Sequence, residues 1–417
     1  MRTIVRMSVE SVARPGLADR RARVAVAALF FTNGALFANL IPRYPQVKAD
    51  LGLSNAVYGL SVAAFPTGAI IAGAAAGVLV RRFGSARAAT AGTVLTGAGA
   101  LVAGVAPSVW AFAAALFLAG AMDAVTDVAQ NAHGLRVQRR YGRSIINSFH
   151  AVWSIGAVTG GAMAAAAIAA GLPRGIHLSV SAGLFAVVAL VALRFCLRGP
   201  EVEPVDGTAA DGGSASGSGG RAIGTRTVLV VAALVLIAMA ATIVEDAGNS
   251  WAAIYLSGPL AAPVAVAAWG YIALVGAQFV GRLCGDRLVD RFGQRTVARA
   301  GGLVAAGGMA LALAYPTVPG TILGFAAAGL GVATLVPAAM HEADELPGLK
   351  PGTGLTIVSW LMRLGFLLSP PVVGAVADAS SLRLGLVVVP AAALLVVVVA
   401  GVLSQNPRPV PPPKPRG

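Results

Sequence analysis

Residues 289–295 read Val289-Asp290-Arg291-Phe292-Gly293-Gln294-Arg295, a short basic turn between two long apolar runs. A similar turn, Val80-Arg81-Arg82-Phe83-Gly84-Ser85-Ala86-Arg87, lies 209 residues earlier, counted from Arg82 to Arg291. That spacing is close to half of the 417-residue chain. A repeat at half the chain length indicates that one unit of several helices was duplicated.

The composition is that of a membrane protein. Hydrophobic residues make up 57% of the chain, charged residues only 12%, and the mean hydropathy is +0.79. So much apolar surface cannot be spread over a water-soluble protein. The net charge of +14 would suit a nucleic-acid-binding protein, but the basic residues fall between apolar runs and form no basic, aromatic surface. We therefore expect the lipid bilayer, and no nucleic acid, as a partner.

Twelve apolar runs are long enough to cross a bilayer, which takes about 20 mostly apolar residues. The runs are Val24 to Ile41, Ala56 to Val80, Ala88 to Ala106, Val109 to Asn131, Ile145 to Ala170, Ile176 to Phe195, Thr227 to Tyr255, Pro263 to Cys284, Thr296 to Ala314, Val318 to Met340, Leu355 to Ala375 and Leu384 to Leu403. The first run ends at Pro42 without a small-residue cleavage site, so we expect an uncleaved helix. The sequence predicts an all-α polytopic membrane protein with twelve transmembrane helices in two pseudo-symmetric six-helix bundles.

The segments between these runs predict the domain boundaries. Residues 199–226 are rich in Gly, Ser, Pro and Ala, which is typical of a flexible linker. We expect an N-terminal bundle at 24–198 and a C-terminal bundle at 227–404. Residues 1–23 are expected to form a tail, and residues 405–417 a Pro-rich disordered tail.

The basic residues predict the orientation in the membrane. Of the 31 Lys and Arg residues, 26 fall on the side of the N-terminus, four on the opposite side, and Arg363 lies within a helix. The positive-inside rule then places both termini and the linker in the cytoplasm. Because Arg, Ala and Gly have GC-rich codons, their abundance favours a bacterial source, and hence the cytoplasmic (inner) membrane.

Carboxylates at membrane depth are candidate functional groups, because a charge there costs several kcal/mol unless it is paired or hydrated. Asp123, Asp127 and Asn131 share one helical face, and Glu245 and Asn249 repeat the spacing of four residues. We predict that Asp127 and Glu245 bind protons. The alternative, that these polar groups only hold helices together by hydrogen bonds, stays open.

Arg363 lies about eight residues inside its helix, roughly 12 Å from the end at 1.5 Å per residue. That depth is too great for the guanidinium to reach the interface easily. Arg363 should therefore face an acidic partner or an anionic substrate, and a purely structural ion pair remains the alternative.

The sequence contains no pattern typical of a catalytic or metal site. The stretch His341-Glu342-Ala343-Asp344-Glu345 lacks the His-x-x-x-His spacing of a metal motif. The four histidines are dispersed, and we find no nucleophile with a base. Cys196 and Cys284 lie at the ends of separate helices, where cytoplasmic reductants would keep them reduced. We expect no catalytic residue, no metal, no cofactor and no disulfide.

With twelve runs, a central linker and paired Arg-Phe-Gly turns, the chain from about Val24 to Leu403 resembles the major facilitator superfamily. Asp290 to Arg295 resembles the cytoplasmic loop motif of that family, whereas the first copy has Arg81 where the family usually has Asp. The resemblance implies a secondary transporter that needs no enzyme chemistry. It also implies a cytoplasmic gate at the turns, formed by Arg82, Gly84, Asp290, Arg291 and Gly293.

Asp127-Val128-Ala129-Gln130-Asn131 is similar to the acid-x-Ala-x-Asn stretch of fucose permease-like symporters, whose acid is implicated in proton coupling. Glu245 with Asn249 and Trp251 looks like an uncharacterised bacterial inner-membrane branch of that group. The first-helix aspartate of fucose permease falls near Ala38 or Asn39 here, so fucose itself is not implied. The substrate cavity expected from these residues comprises Asn39, Asp123, Asn131, Asn249, Trp251 and Arg363.

We therefore expect a monomeric, proton-coupled symporter that moves a small polar solute, sugar-like or an organic acid, by alternating access. One alternative is proton-driven efflux of drugs or metabolites, although Trp153 to Gly161 lacks the proline of the usual fifth-helix signature of exporters. A membrane sensor that binds a ligand without transporting it is the other alternative.

Overall fold

The computed structural model describes residues 16–142, 144–199, 224–346, 349 and 352–405. The described residues form twelve long helices and no strand: α1 (Leu17–Asp50), α2 (Asn55–Phe83), α3 (Ser85–Gly104), α4 (Val109–Tyr141), α5 (Ile146–Ala169), α6 (Arg174–Phe195), α7 (Thr225–Ser257), α8 (Val264–Phe292), α9 (Gln294–Ala314), α10 (Val318–Asp344), α11 (Thr353–Ala379) and α12 (Leu382–Val402). The all-α prediction is confirmed. Most of the predicted linker and of both predicted tails lies outside the described residues.

Eleven of these helices, within the described ranges, are long and apolar enough to cross a membrane. The twelfth, α3, is long enough at 20 residues but is rich in Gly, Ala and Thr and begins with Ser85 and Arg87. It packs against α4, α6 and α1, so its small residues serve close helix packing inside the first bundle.

Several helices are longer than their apolar runs, and α1 and α4 show this most clearly. The first begins at Leu17, seven residues before the predicted Val24, and α4 continues to Tyr141, ten residues beyond the predicted Asn131. The added segments contain arginines, which are good helix formers, and α4 stops only at Gly142, whose φ of 63° is left-handed. Hydropathy marks the apolar part of a helix and not its true end.

Several helices are interrupted. The breaks fall at a 3-10 turn in α1 (Ile41–Arg43), near Ala63 in α2, near Thr334 in α10, at Met362 in α11 and near Val387 in α12. Proline explains two of them, because Pro66 and Pro337 each lack the N–H that would bond four residues back, to Val62 and Ala333. The breaks lie where these bonds are missing.

The two repeated turns have nearly the same geometry. Gly84 joins α2 to α3 with φ 83° and ψ 145°, and Gly293 joins α8 to α9 with φ 80° and ψ 155°. Such a positive φ favours glycine, which has no Cβ. Arg82 lies 5.4 Å over the ring of Phe83, and Arg291 lies 5.3 Å over the ring of Phe292. We call the end of the molecule that carries both turns the basic end.

A second pair of contacts follows the same repeat. His133 Nε2 accepts a hydrogen bond from the backbone N–H of Leu197 (3.1 Å), which ties α4 to the end of α6. Glu342, 209 residues after His133, accepts one from the backbone N–H of Ser404 (2.9 Å), which ties α10 to the end of α12. In each half, the fourth helix is therefore tied to the end of the sixth helix, with a different acceptor side chain in the two halves.

The two bundles touch at the end opposite to the basic end, which we call the closed end. There the first turns of α2 pack on α11, and α5 packs on α8. A Cβ added to Gly59 of α2 would overlap the carbonyl oxygen of Pro370, and one added to Gly374 of α11 would overlap that of Asn55. The absence of side chains at these two glycines allows the backbones to approach so closely.

A cap across the bundles reinforces the closed end. Asp378 of α11 accepts hydrogen bonds from the backbone N–H groups of Asn55 (2.9 Å) and Ala56 (2.8 Å), the first residues of α2. A carboxylate at a helix N-terminus satisfies free N–H groups and interacts favourably with the helix dipole. Tyr58 also donates its hydroxyl to the carbonyl of Ser250 on α7 (2.8 Å).

Candidate functional site

Asp127 lies in the middle of α4, and its side chain is nevertheless solvent-accessible, so an open space lies beside it. Asn131 donates to its carboxylate (2.9 Å), and the Asn131 oxygen contacts His150 Nε2 of α5 (3.1 Å). Across this space, Arg363 of α11 interacts electrostatically with Asp127, and Arg282 of α8 with His150. These groups belong to opposite bundles, so the space is a gap between the halves. We call it the central gap.

Arg363 forms no hydrogen bond and no ion pair with any residue in the described part of the chain, and its guanidinium lies beside Gly73 of α2. Arg363 interacts electrostatically with Asp127. The sequence predicted an acidic partner or an anionic substrate for Arg363. In this state the partner is present across the gap, but the two side chains are not in contact.

Asp123, one helical turn deeper than Asp127, belongs to a network of three helices. Its carboxylate accepts a hydrogen bond from Asn33 of α1 (2.8 Å), and the Asn33 oxygen accepts one from the indole N–H of Trp153 on α5 (2.7 Å). Asn33 is buried, with 6% of its surface exposed. The network fixes Asp123 with neutral groups only, so its carboxylate has no charged partner among the described residues.

Glu245 is held within the C-terminal bundle. Gln278 of α8 donates its amide to the Glu245 carboxylate (2.8 Å), and Tyr271 of the same helix interacts with it electrostatically. Glu245 is partly exposed. The two residues predicted to bind protons, Asp127 and Glu245, therefore belong to different bundles and to separate hydrogen-bond networks.

Asn39 lies inside the N-terminal bundle rather than on the central gap. Only 1% of its surface is exposed, and its oxygen accepts hydrogen bonds from His177 Nε2 (2.9 Å) and Ser181 (3.2 Å) of α6. Its amide donates to the carbonyl of Ala35 (2.8 Å). In this state Asn39 offers no free acceptor to a substrate, contrary to the expectation that it lines the cavity.

Trp251 and Asn249 lie toward the closed end on α7. Trp251 is fully buried, and its ring meets the ring of Tyr58 edge-on at 5.0 Å. Its indole N–H and the Asn249 oxygen have no hydrogen-bond partner in the described part of the chain. Trp251 therefore forms part of the contact between the bundles in this state, whereas the half-buried Asn249 keeps a free acceptor.

The predicted gate residues all lie at the basic end. Arg82, Asp290 and Arg291 are exposed, and Gly84 and Gly293 shape the turns. The next residue of the second motif, Arg295, donates to the carbonyls of Gly401 (2.7 Å) and Leu403 (3.0 Å) and so caps α12. The first copy has Ala86 at this place and lacks that cap.

The sequence profile of the Major Facilitator Superfamily matches two overlapping parts of the chain, residues 26–288 and 246–417. The chain belongs to the Major Facilitator Superfamily. An uncharacterised transporter of Sinorhizobium fredii is 31% identical over 384 residues, which cover 91% of this chain and 97% of the relative. The membrane protein MosC of Rhizobium meliloti is 28% identical, over 89% of this chain and 88% of the relative.

Solved structures of this superfamily fold are similar over nearly the whole chain. The nucleoside transporter NupG superposes with a TM-score of 0.69 at 13% identity, over 93% of this chain and 98% of its own. The D-xylose-proton symporter superposes with a TM-score of 0.65 at 16% identity, over 92% of this chain and 96% of its own. At such low identity the likeness establishes the fold of two bundles and not the substrate. The protein is thus a multi-pass membrane transporter of the superfamily.

Proposed function

We propose that this transporter moves a small polar solute, sugar-like or an organic acid, across the cytoplasmic membrane of a bacterium by proton-coupled alternating access. The observation that carries the proposal is Asp127, a mid-helix carboxylate that faces the central gap. Its hydrogen-bond donor is the neutral Asn131, and the Arg363 guanidinium lies across the gap. Such a carboxylate is hydrated while the basic end is open and loses that water when the end shuts.

When the basic end shuts, an ionised Asp127 would be buried without water, and two changes can prevent this. It can take up a proton, or it can pair with Arg363 across the gap. A proton bound from one side and released on the other couples solute movement to the proton gradient. Glu245, held by Gln278 in the other bundle, then binds the solute or shares the proton. We expect the protein to work as a monomer, because both bundles of the gap come from one chain.

The groups around the gap suit hydroxyl and carboxylate groups of a solute. We place Asp123, Asn131, Asn249 and Arg363 in the substrate cavity. Carboxylates and amides hydrogen-bond sugar hydroxyls, and a guanidinium binds a carboxylate in a two-pronged geometry. Trp251 would reach a solute only if the closed end opened, since it is buried between the bundles in this state. Asn39 stays bonded to His177 and Ser181 inside the N-terminal bundle and is left out of the cavity.

A thermal-shift screen of the purified protein tests this function. A ligand that binds only the folded state raises the unfolding temperature, and at 100 times its Kd it adds about 2.7 kcal/mol to stability. We expect hits among sugars or organic acids, followed by proton-dependent uptake of the hit in proteoliposomes. Stabilisation by cationic drugs alone would favour export. Binding without any transport would favour a sensor and contradict the proposal.

The orientation is testable with single cysteines at the two ends. Cys196 is buried, and burial raises the pKa of its thiol to about 12, whereas Cys284 is exposed, so both are first replaced by Ala. Ser144→Cys at the basic end should react with an impermeant maleimide only after permeabilisation. Ser380→Cys at the closed end should react in intact cells. The opposite pattern would place the termini outside and overturn the proposed topology.

Arg363→Ala separates the two roles of Arg363. If Arg363 pairs with Asp127 to shut the basic end, its loss should shift the protein toward the present, basic-end-open state. The swap of Asp127→Arg with Arg363→Asp should then partly restore the shut population. If Arg363 instead binds an anionic solute, Arg363→Ala should weaken binding of carboxylate ligands and leave that population unchanged.

The population of the basic-end-open state is measured by distances between spin labels on the loops of the basic end, with and without ligand. Arg363→Lys is the matched control, because it keeps the charge and loses the two-pronged geometry. An Arg363→Ala protein that is unchanged in both conformation and binding would defeat both roles.

A further inference from the structure

Asp246 is a buried carboxyl group on α7 that the function proposed above does not use. It lies 11 residues from Ser257, the closed-end terminus of α7, or about 16 Å along the helix. Only 7% of its surface is exposed. One carboxylate oxygen accepts a hydrogen bond from Ser250 (3.3 Å), and the other has no hydrogen-bond partner among the residues that the structure describes.

The surroundings of Asp246 come from both bundles. Tyr44 of α1 and Tyr58 of α2 interact with it electrostatically, and α11 contributes the hydroxyl of Ser369. Its own helix contributes Glu245, a like charge, and α8 contributes Tyr271, which faces Glu245 and Tyr44. Within the ranges that the structure describes, no Arg, Lys or His side chain pairs with Asp246.

This site coincides with the contact that keeps the closed end shut. One turn beyond Asp246, the Ser250 carbonyl accepts the hydroxyl of Tyr58, and Trp251 meets the Tyr58 ring. Ser369 directly precedes Pro370, whose backbone lies against Gly59. When the bundles part at this end, Asp246 loses its tyrosine cover and meets water.

We propose that Asp246 is a second proton-binding group, neutral while the closed end is shut and deprotonated to the water on that side when the end opens. A bare carboxylate buried without a cation costs several kcal/mol, whereas a neutral carboxyl group needs only an acceptor for its O–H. The Tyr44 hydroxyl, which interacts electrostatically with Asp246, is also buried and has no hydrogen-bond partner among the described residues.

The proposal rests on alternating access but not on the role of Asp127. Ionisation of Asp246 favours the state in which its carboxylate is hydrated, with the closed end open. Raising the pH should therefore open the closed end. Asp127 and Asp123 act in the opposite direction, because they face the gap of the present state and are covered when the basic end shuts. The two carboxyl sites therefore give the conformational equilibrium pH dependences of opposite sign.

The test uses spin labels at Ala49→Cys and Ser380→Cys across the closed end, in a chain whose native cysteines are replaced by Ala. In a background of Asp123→Asn with Asp127→Asn, which removes the two carboxyl groups that act in the opposite direction, the fraction with an open closed end should rise with pH, by up to about tenfold per pH unit for one titrating group. Adding Asp246→Asn should remove that rise. Asp286→Asn, which removes an exposed carboxylate of α8 outside both carboxyl sites, is the matched control and should leave the rise in place.

Equal pH dependence with and without Asp246→Asn would overturn the proposal. If Asp246→Asn fails to fold, Asp246→Ser removes the same carboxyl with less bulk, and Asp246→Glu should retain the pH dependence. A failure of Asp127 as the coupling residue would appear in uptake and leave this dependence intact, so the two proposals fail separately.

Discussion

Asp127→Asn is expected to abolish proton-driven accumulation of the solute while leaving solute exchange measurable. The amide keeps the shape of the carboxylate and its contact with Asn131 but binds no proton, so the basic end can shut without one. A proton gradient of one pH unit is worth about 1.4 kcal/mol, or a tenfold accumulation ratio. In the variant that ratio should fall to about one.

The measurement is uptake and counterflow of the solute identified by the thermal-shift screen, in proteoliposomes with and without a pH gradient. Asp286→Asn serves as the matched control, because it removes the same charge from an exposed position on α8. Retained accumulation in Asp127→Asn would reject the assignment. Loss of exchange together with accumulation would show that Asp127 binds the solute rather than only the proton.

The sequence predicted the fold well because its signals are local and repeated. A turn such as Arg82-Phe83-Gly84 requires a positive φ at its glycine, and the second copy at Gly293 has the same geometry. Apolar runs of membrane length located the helices. The limits of α1 and α4 were wrong because charged residues continue a helix beyond the apolar run, and hydropathy does not register them.

The candidate site was predicted only where its contacts are local. Asp127 and Asn131 are four residues apart on one helix, and the structure joins them at 2.9 Å. The partners of Asp123 were missed, because Asn33 lies 90 residues away in the sequence and meets Asp123 only when α1 packs on α4.

Asn39 and Asp246 show in two different ways that a single sequence does not reveal the long-range partners of a buried polar group. Both are polar residues in apolar helices, and the resemblance to fucose permease-like symporters favoured Asn39 for the cavity while giving no role to Asp246. The structure satisfies Asn39 through His177, whereas one oxygen of Asp246, which interacts with Tyr58, has no hydrogen-bond partner among the described residues. Whether a buried polar group is satisfied depends on long-range partners, which a single sequence does not reveal.

Gly59→Ala and Gly374→Ala are expected to drive the closed end apart. In each case the new Cβ would overlap a backbone carbonyl oxygen of the opposite bundle, Pro370 or Asn55, which cannot move aside as a side chain would. Overpacking of this kind costs about 1–3 kcal/mol, and 1.4 kcal/mol corresponds to a tenfold change in an equilibrium. The strain exists only in the state whose closed end is shut, so the population should shift toward the opposite state by about tenfold.

Two other glycines distinguish a conformational effect from a loss of stability. A Cβ at Gly156 of α5 would overlap the carbonyl of Phe31 within the same bundle, so Gly156→Ala should lower the unfolding temperature without changing the population. A Cβ at Gly183 of α6 would meet nothing within 4 Å, so Gly183→Ala should change neither. Spin-label distances between Ala49→Cys and Ser380→Cys measure the population. An unchanged closed-end distance in both Gly59→Ala and Gly374→Ala would mean that these glycines do not set how closely the bundles approach. The Asp378 cap and the Tyr58 contacts would then hold the closed end shut.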